Sequence, residues 1–367
     1  MTTNTHISTN QLLFLIFQSQ IGVGVLSLAH EIYLNAGTDG WISIIIAGMA
    51  TLFLVLIILT LTKQYPQDTL YEFSSKITGR FFGNFISCLY VLYFFSVSIL
   101  IIQLSTGVIK KWLLPLTPKW ILFLSFIIVT VYLAKESIRI IARVYVIVSL
   151  LVIVLIVLIL STYGDVNLKY LFPVGQSGFE NMMLGIHDAI VAMLGFELLL
   201  IIYPFVKSSH KQKIKYSILA IMAVTILYSF FVFSSYIYFS PDQLTIIPEP
   251  LLYMLKAVDY EVIERLDLIF LVIWIVPMTT SIAIYIHLSS IGLSKLCRQK
   301  DHKISSFVIG GFIFLLSLII PSTPDATKQF AELIAIASYI FVGGIPLILL
   351  SIVKLKQKVS KGKTYEM

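Results

Sequence analysis

Charge is scarce in this chain. Asp, Glu, Lys and Arg make up 12% of its 367 residues, about half the share of a soluble globular domain. So few charges cannot coat a water-soluble fold, so lipid must be the solvent for most of the surface. Cysteine is scarcer still. Cys88 lies in an apolar run and Cys297 in a basic one, with no CxxC spacing, which excludes a disulfide framework or a cysteine metal site. His187-Asp188 and His287 are isolated and suggest no metal. No Walker loop, HExxH or GxSxG is present, so neither an enzyme nor a bound cofactor is expected. The first apolar run lacks a basic lead-in and is too long for the core of a cleavable leader, so it is expected to stay as a membrane helix.

What remains is apolar: 58% of the residues are hydrophobic and mean hydropathy is +0.94. A helix needs about 20 mostly apolar residues to cross the hydrocarbon. Ten such runs occur, at about 10–34, 41–63, 83–109, 119–134, 140–162, 184–206, 214–239, 263–294, 304–320 and 328–353. The pI of 9.1 does not point to nucleic acid. Nineteen of the 26 Lys and Arg fall in alternate loops and the C-terminal tail, on the side of the N-terminus. This is the bias of cytoplasmic loops, and it agrees with an even number of spans and both termini inside. The chain reads as a single polytopic domain, 1–367, with halves at about 9–162 and 184–354 and a basic cytoplasmic tail at 355–367. Loop 64–82 predicts a short amphipathic helix after Pro66, and Leu251 to Val258 a short helix on the outer side.

Two spans are interrupted. The first contains Gly22-Val23-Gly24-Val25, the sixth Gly195-Phe196-Glu197 followed by Pro204. Gly22 and Gly24 lie roughly 18–21 Å along their helix and Gly195 about 17 Å into its own, from the opposite side. In a core about 30 Å thick, both fall near the midplane. Such breaks in corresponding helices of two halves point to a transporter-type binding site. The freed amides and carbonyls must be satisfied by protein or by a small polar solute. Close helix packing is the other use of these glycines.

Glu197 is the only carboxylate placed near the bilayer centre, a functional-site hypothesis by default. It is suited to hold a ligand amine or carry a proton; a protonated Glu bonded to a neighbouring helix is the structural alternative. Tyr93, Val97 and Ser98 of the third span, and Met278 and Thr279 beside Pro277 of the eighth, sit at mid-depth and would flank the breaks. Gln18, Gln20, Gln103 and Thr280 are read mainly as polar glue between helices. Thr279, Ser289 and Ser290 have the chemistry for a sodium ion, but nothing favours sodium over protons or no ion.

Five patterns in order carry a family resemblance: Ile21-Gly22-Val23-Gly24-Val25-Leu26; Pro66, Thr69-Leu70, Glu72, Gly79-Arg80 and Gly83; Ile138 with Ile141-Ala142-Arg143; Gly195-Phe196-Glu197 with Pro204; and Glu264-Arg265-Leu266-Asp267 with Trp274. Ser137 departs from the pattern, where glycine is expected. With these the chain resembles the B subunits of spore germinant receptors (the GerAB/GerKB type), a branch of the amino acid–polyamine–organocation transporter superfamily. The resemblance implies an all-α membrane protein with a five-plus-five inverted repeat of the leucine-transporter type, broken in helices one and six. It implies partners, an A-type subunit and a lipoprotein C-type subunit, and a place in the spore inner membrane. It implies a small nutrient germinant, an amino acid or nucleoside, as ligand. The alternative is a working secondary amino acid transporter. The Glu264/Arg265/Asp267 cluster reads as a helix cap with a local salt bridge, or as a contact to a partner subunit.

Overall fold

Serine, glycine and proline mark where the helices begin and end. A computed structural model describes residues 6–258 and 265–365. Ser8 opens the first helix with a reciprocal cap: its side chain accepts from the Gln11 N–H while Gln11 accepts from the Ser8 N–H, satisfying two orphan donors. The first span is α1 (Thr9–Gln20) and α2 (Leu28–Ala36), joined by a 3-10 turn at Val23–Leu26. Then follow α3 (Gly40–Lys63), α4 (Leu70–Thr78), α5 (Arg80–Trp112) and α6 (Lys119–Ala134). The fifth span is α7 (Ile138–Ser149) running into α8 (Leu151–Leu160); the sixth is α9 (Gly178–Ala192) and α10 (Leu199–Ile202), with a bend of 52° between Gly178–Ala192 and Phe196–Phe205. The rest are α11 (His210–Tyr238), the surface helices α12 (Pro241–Ile246) and α13 (Pro250–Ala257), α14 (Leu266–Leu296), α15 (Lys303–Ile319), α16 (Pro324–Ser338) and α17 (Ile345–Tyr365). A π-helical turn at Tyr339–Gly344 joins the last two.

Six helical stretches are long and apolar enough to span a membrane, the bent α9–α10 pair makes a seventh, and α6 and α15 are shorter apolar helices. With α1 ahead of the Leu28–Lys63 stretch, these fill all ten positions that the hydropathy runs predict. Met49, Phe53, Phe85, Ile147 and Ile153 face outward, whereas Gln18, Ser98, Glu197 and Ser289 are completely buried. Apolar groups outside and satisfied polar groups inside are what a lipid solvent selects.

The expected helix in loop 64–82 is α4, nucleated by a capping box in which the Thr69 N–H donates to Glu72 Oε2 at 2.9 Å. Glu72 also pairs with Lys295 at the end of α14. Burial pushes its carboxyl up, but the bonds from Lys295 and Thr69 outweigh it and hold the group below the usual carboxylate range. Gly79, at φ 88°, turns the chain into α5. Lys356 of α17 donates to the Ile77 carbonyl at 2.7 Å and ties the C-terminal helix to this loop.

On the opposite face, α13 realises the short helix expected at Leu251 to Val258. Leu251, Leu252, Met254 and Leu255 are buried in the same core as Val25 and Leu26 of the first break. Asp39 fastens the loop before α9, accepting from the Gly175 and Ser177 N–H groups at 2.6 and 3.0 Å. Arg265 grips Asp267 through both carboxylate oxygens, at 2.9 and 2.7 Å, so the local salt bridge read from the sequence forms. Glu264 lies outside the described residues.

Candidate functional site at the helix breaks

Loss of helical geometry in both broken spans leaves backbone carbonyls without intrahelical partners, and side chains from three helices, α1, α11 and α14, take them up. After Gln20 the chain passes through Ile21 (φ −78°, ψ 89°) and an extended Gly22. Ser281 of α14 donates to the Ile21 carbonyl at 2.9 Å, and Tyr228 of α11 to the Gln20 carbonyl at 2.6 Å. In the sixth span the helix ends at Met193 and Gly195 adopts φ 130°, a conformation open to glycine and strained for other residues.

The two breaks are bonded to each other. Gln20 Nε2 donates to the Met193 carbonyl at 2.5 Å and Ser19 Oγ to the Gly195 carbonyl at 3.2 Å. Tyr228 Oη also reaches the Ala192 carbonyl at 3.3 Å, so one hydroxyl touches both breaks. A methyl on Gly195 would stand 2.6 Å from the Ser19 carbonyl oxygen. Gly24 faces Ala192, and beside Gly22 there is open space. Both segments are therefore unwound and closed on one another.

Glu197 lies in the first turn of the short helical piece beyond the second break and is fully buried. Its Oε2 accepts from the Gly195 N–H at 2.7 Å and its Oε1 from Tyr285 Oη at 2.6 Å. The carboxyl thus braces the break in its own chain and links it to α14. The Tyr90 and Tyr93 hydroxyls of α5 lie within its electrostatic reach.

The third and eighth spans do flank this junction, but not every residue named from the sequence turns toward it. Tyr93 is buried with an unpartnered hydroxyl, and its ring stacks on Phe341 of the π turn at 4.7 Å. Val97, Phe196 and Met278 are buried apolar wall. Ser98 Oγ bonds back to the Phe94 carbonyl of its own helix. Thr279 likewise bonds the Ile275 carbonyl and is only half-buried. The α14 face that meets the first span is that of Thr280 and Ser281. Thr280 Oγ1 accepts from Gln18 Nε2 at 3.2 Å, and Ser149 of α7 donates to the other end of the same amide at 3.2 Å. Val23 and Val25 lie on the 3-10 turn, Val25 buried and Val23 partly so. Ser289 and Ser290 bond to the carbonyls of Val91 and Ile286 and are not gathered with Thr279. Among the described residues no group of His, Cys, Asp and Glu could hold a metal.

Ser19, Tyr228, Ser281 and Tyr285 are participants that sequence reasoning passed over. A tyrosine or serine in an apolar run gives no sign of its partner. Further polar atoms remain buried without partners: Gln20 Oε1, both amide atoms of Gln103, Thr106 Oγ1 and Trp274 Nε1. Ser289 at Val91 fixes the antiparallel register of α5 and α14, which brings Gln103 and Thr106 to about the height of Pro277 and Trp274. Buried polar atoms of this kind are the groups a polar ligand satisfies.

Comparison with known proteins agrees with this architecture. Residues 6–327 match the model of a family described as spore germination protein. Spore germination protein YndE of Bacillus subtilis is 25% identical over 359 residues, covering 97% of this chain and 98% of that protein. Spore germination protein A2 of Bacillus subtilis is 26% identical over 360 residues, covering 96% and 97%. GerQB of Bacillus cereus is 24% identical over 314 residues, covering 86% of each. Among solved structures, a Na+-coupled sialic acid symporter in a substrate-bound outward-open state has a TM-score of 0.68 at 13% identity, covering 92% of this chain and 78% of that one. Mhp1, a nucleobase-cation-symport-1 family transporter in a closed conformation with bromovinylhydantoin bound, also scores 0.68 at 13% identity, covering 94% and 77%. These likenesses show the fold, an all-α membrane architecture of the leucine-transporter type. By the extent of the family match, this multi-pass membrane protein belongs to the spore germination protein family that contains the germinant receptor B subunits.

Proposed function

We propose that this chain is the integral-membrane subunit of a spore germinant receptor, and that a small nutrient germinant, an amino acid or nucleoside, binds where the two broken spans meet. The observation that carries the reading is the bonded crossing of two unwound segments around the buried Glu197. Carbonyls and hydroxyls that now satisfy each other are available to a ligand that parts them. A germinant with a higher affinity for the parted arrangement shifts the equilibrium toward it, and A-type and lipoprotein C-type subunits in the spore inner membrane read the shift. The contacts proposed for the germinant are Gly22, Val23, Gly24, Val25, Tyr93, Val97, Gly195, Phe196, Glu197 and Met278, with both termini on the spore-core side; Ser98 and Thr279, bonded to carbonyls of their own helices, would join them only by releasing those bonds.

A transport reading has its own support, since both solved neighbours are named as symporters or symport-family transporters. Uptake of radiolabelled amino acids and nucleosides into proteoliposomes separates the two: the receptor reading expects binding without accumulation. The site itself is tested by Gly24→Leu. Gly24 has Ala192 Cβ 3.5 Å from where its own Cβ would be, so a methyl fits in contact and a leucine must press into the end of α9. Spores carrying Gly24→Leu should need about tenfold more germinant, a shift of roughly 1.4 kcal/mol, with normal protein levels. An unchanged dose response would remove the first break from the site.

A further inference from the structure

A cavity of about 370 Å³ opens on the face that carries the N-terminus, within the size range of small-molecule sites. It is separate from the helix breaks, and its chemistry is one-sided. Lys63 at the end of α3, Lys207 before α11 and Lys213 on its first turns line it, with His6, His210 and Ser208. No Asp or Glu is among the lining residues. The carboxylate next along the chain, Asp68, is taken by Lys76 at 2.6 Å. Among the described residues none of the three lysines forms an ion pair.

Lys213 is the telling member. It is 5% exposed, and a lysine so deeply buried ordinarily has a counter-charge. Its Nζ donates to the Tyr203 carbonyl at 2.8 Å and lies 3.7 Å from the centre of the Tyr203 ring. An ammonium carries three donors, so one carbonyl leaves two to spend. The start of α11, capped by Ser209, adds the positive end of a 29-residue helix beside it.

We propose that this cavity binds a phosphoryl anion, whether a phospholipid headgroup or a free phosphate compound. Its position gives the anion a mechanical role. The Ile7 N–H donates to the Phe205 carbonyl at 2.9 Å, and the Lys207 N–H to the Ile7 carbonyl at 3.1 Å, a short bridge holding the lead-in of the first broken span to the end of the sixth. His6 and Lys207 flank that bridge and also line the cavity. An anion held by Lys63, Lys207 and Lys213 staples α3, the link after the sixth span and α11 together, and through the Lys207–Ile7 backbone bond keeps the N-terminal segment on this closed side.

The experiment titrates inorganic phosphate into the full-length chain in phosphatidylcholine nanodiscs, at constant ionic strength in chloride, by calorimetry and thermal melting. Saturable binding is expected, with a raised melting temperature. Lys63→Gln with Lys207→Gln should weaken it about tenfold or more, through loss of charge-assisted bonds. Both side chains are exposed, so the pair should fold normally; Lys213→Met is the harsher companion. Lys354→Gln with Lys356→Gln, on the same face outside the cavity, should leave binding unchanged. Repeating the titration in discs of equal parts phosphatidylglycerol and phosphatidylcholine separates the sources. Phosphate binding lost there, with the melting point already raised in wild type but not in the Lys63/Lys207 variant, assigns the site to a lipid headgroup. Binding retained there assigns it to a free phosphate compound. No saturable phosphate binding and no lipid effect that depends on Lys63 and Lys207, or phosphate binding equal in wild type and variant, overturns the proposal.

Discussion

Gly195→Ala tests the crossing of the two breaks with a single methyl group. Gly195 sits at φ 130°, where an L side chain adds conformational strain of roughly 1–2 kcal/mol. The new Cβ would stand 2.6 and 2.7 Å from the Ser19 carbonyl oxygen and carbon and 3.0 Å from the Gln20 nitrogen. Those atoms are backbone, so no side chain can swing aside. The first broken span must move, at an overpacking cost of about 1–3 kcal/mol. The total is about 2–5 kcal/mol, concentrated where Ser19 and Gln20 bond the sixth span. Gly107→Ala is the matched control, since its Cβ would meet nothing within 4 Å in the interior of α5. There alanine should be neutral or stabilise by up to about 1 kcal/mol. Thermal melting of the purified chain in detergent, paired with germination dose response in spores, reads both effects. Gly195→Ala melting together with Gly107→Ala, and germinating like wild type, would refute the close approach.

Tyr285→Phe leaves Glu197 Oε1 without its donor, and should cost about 1–3 kcal/mol in melting and change the germinant dose response. Restoring a donor with Tyr285→His should recover part of the loss if the hydrogen bond matters rather than the ring. Glu72 has a folded-state affinity for protons below the ordinary carboxylate value of 4.5. Its contribution to stability is therefore full above that value and is lost as the pH falls below it through the depressed folded pKa. Melting points measured from neutral pH down to about 3 should fall more steeply for wild type than for Glu72→Gln; parallel curves would mean that the Lys295 bridge does nothing for the fold.

Local chemistry carried much of this protein in its sequence. Apolar run length located the spans, because a bilayer allows few alternatives to a helix of about 20 residues. Gly22, Gly24 and Gly195 announced the breaks, since glycine removes the side-chain constraint that keeps a helix wound, and the amphipathic pattern after Pro66 announced α4. Partners were another matter. Gln20 meets Met193 across 173 residues and Ser281 meets Ile21 across 260, distances at which no spacing rule operates. A helix apolar on every side does not declare which face turns inward, so Thr279 reads from the sequence as flanking the breaks, whereas the packing of α14 against α1 turns Thr280 and Ser281 toward them. Lys63, Lys207 and Lys213 read as topology signals spread along the chain. Only the folding of α3 against the start of α11 turned them into one cationic cavity, because charge density depends on position in space and not on order in the chain.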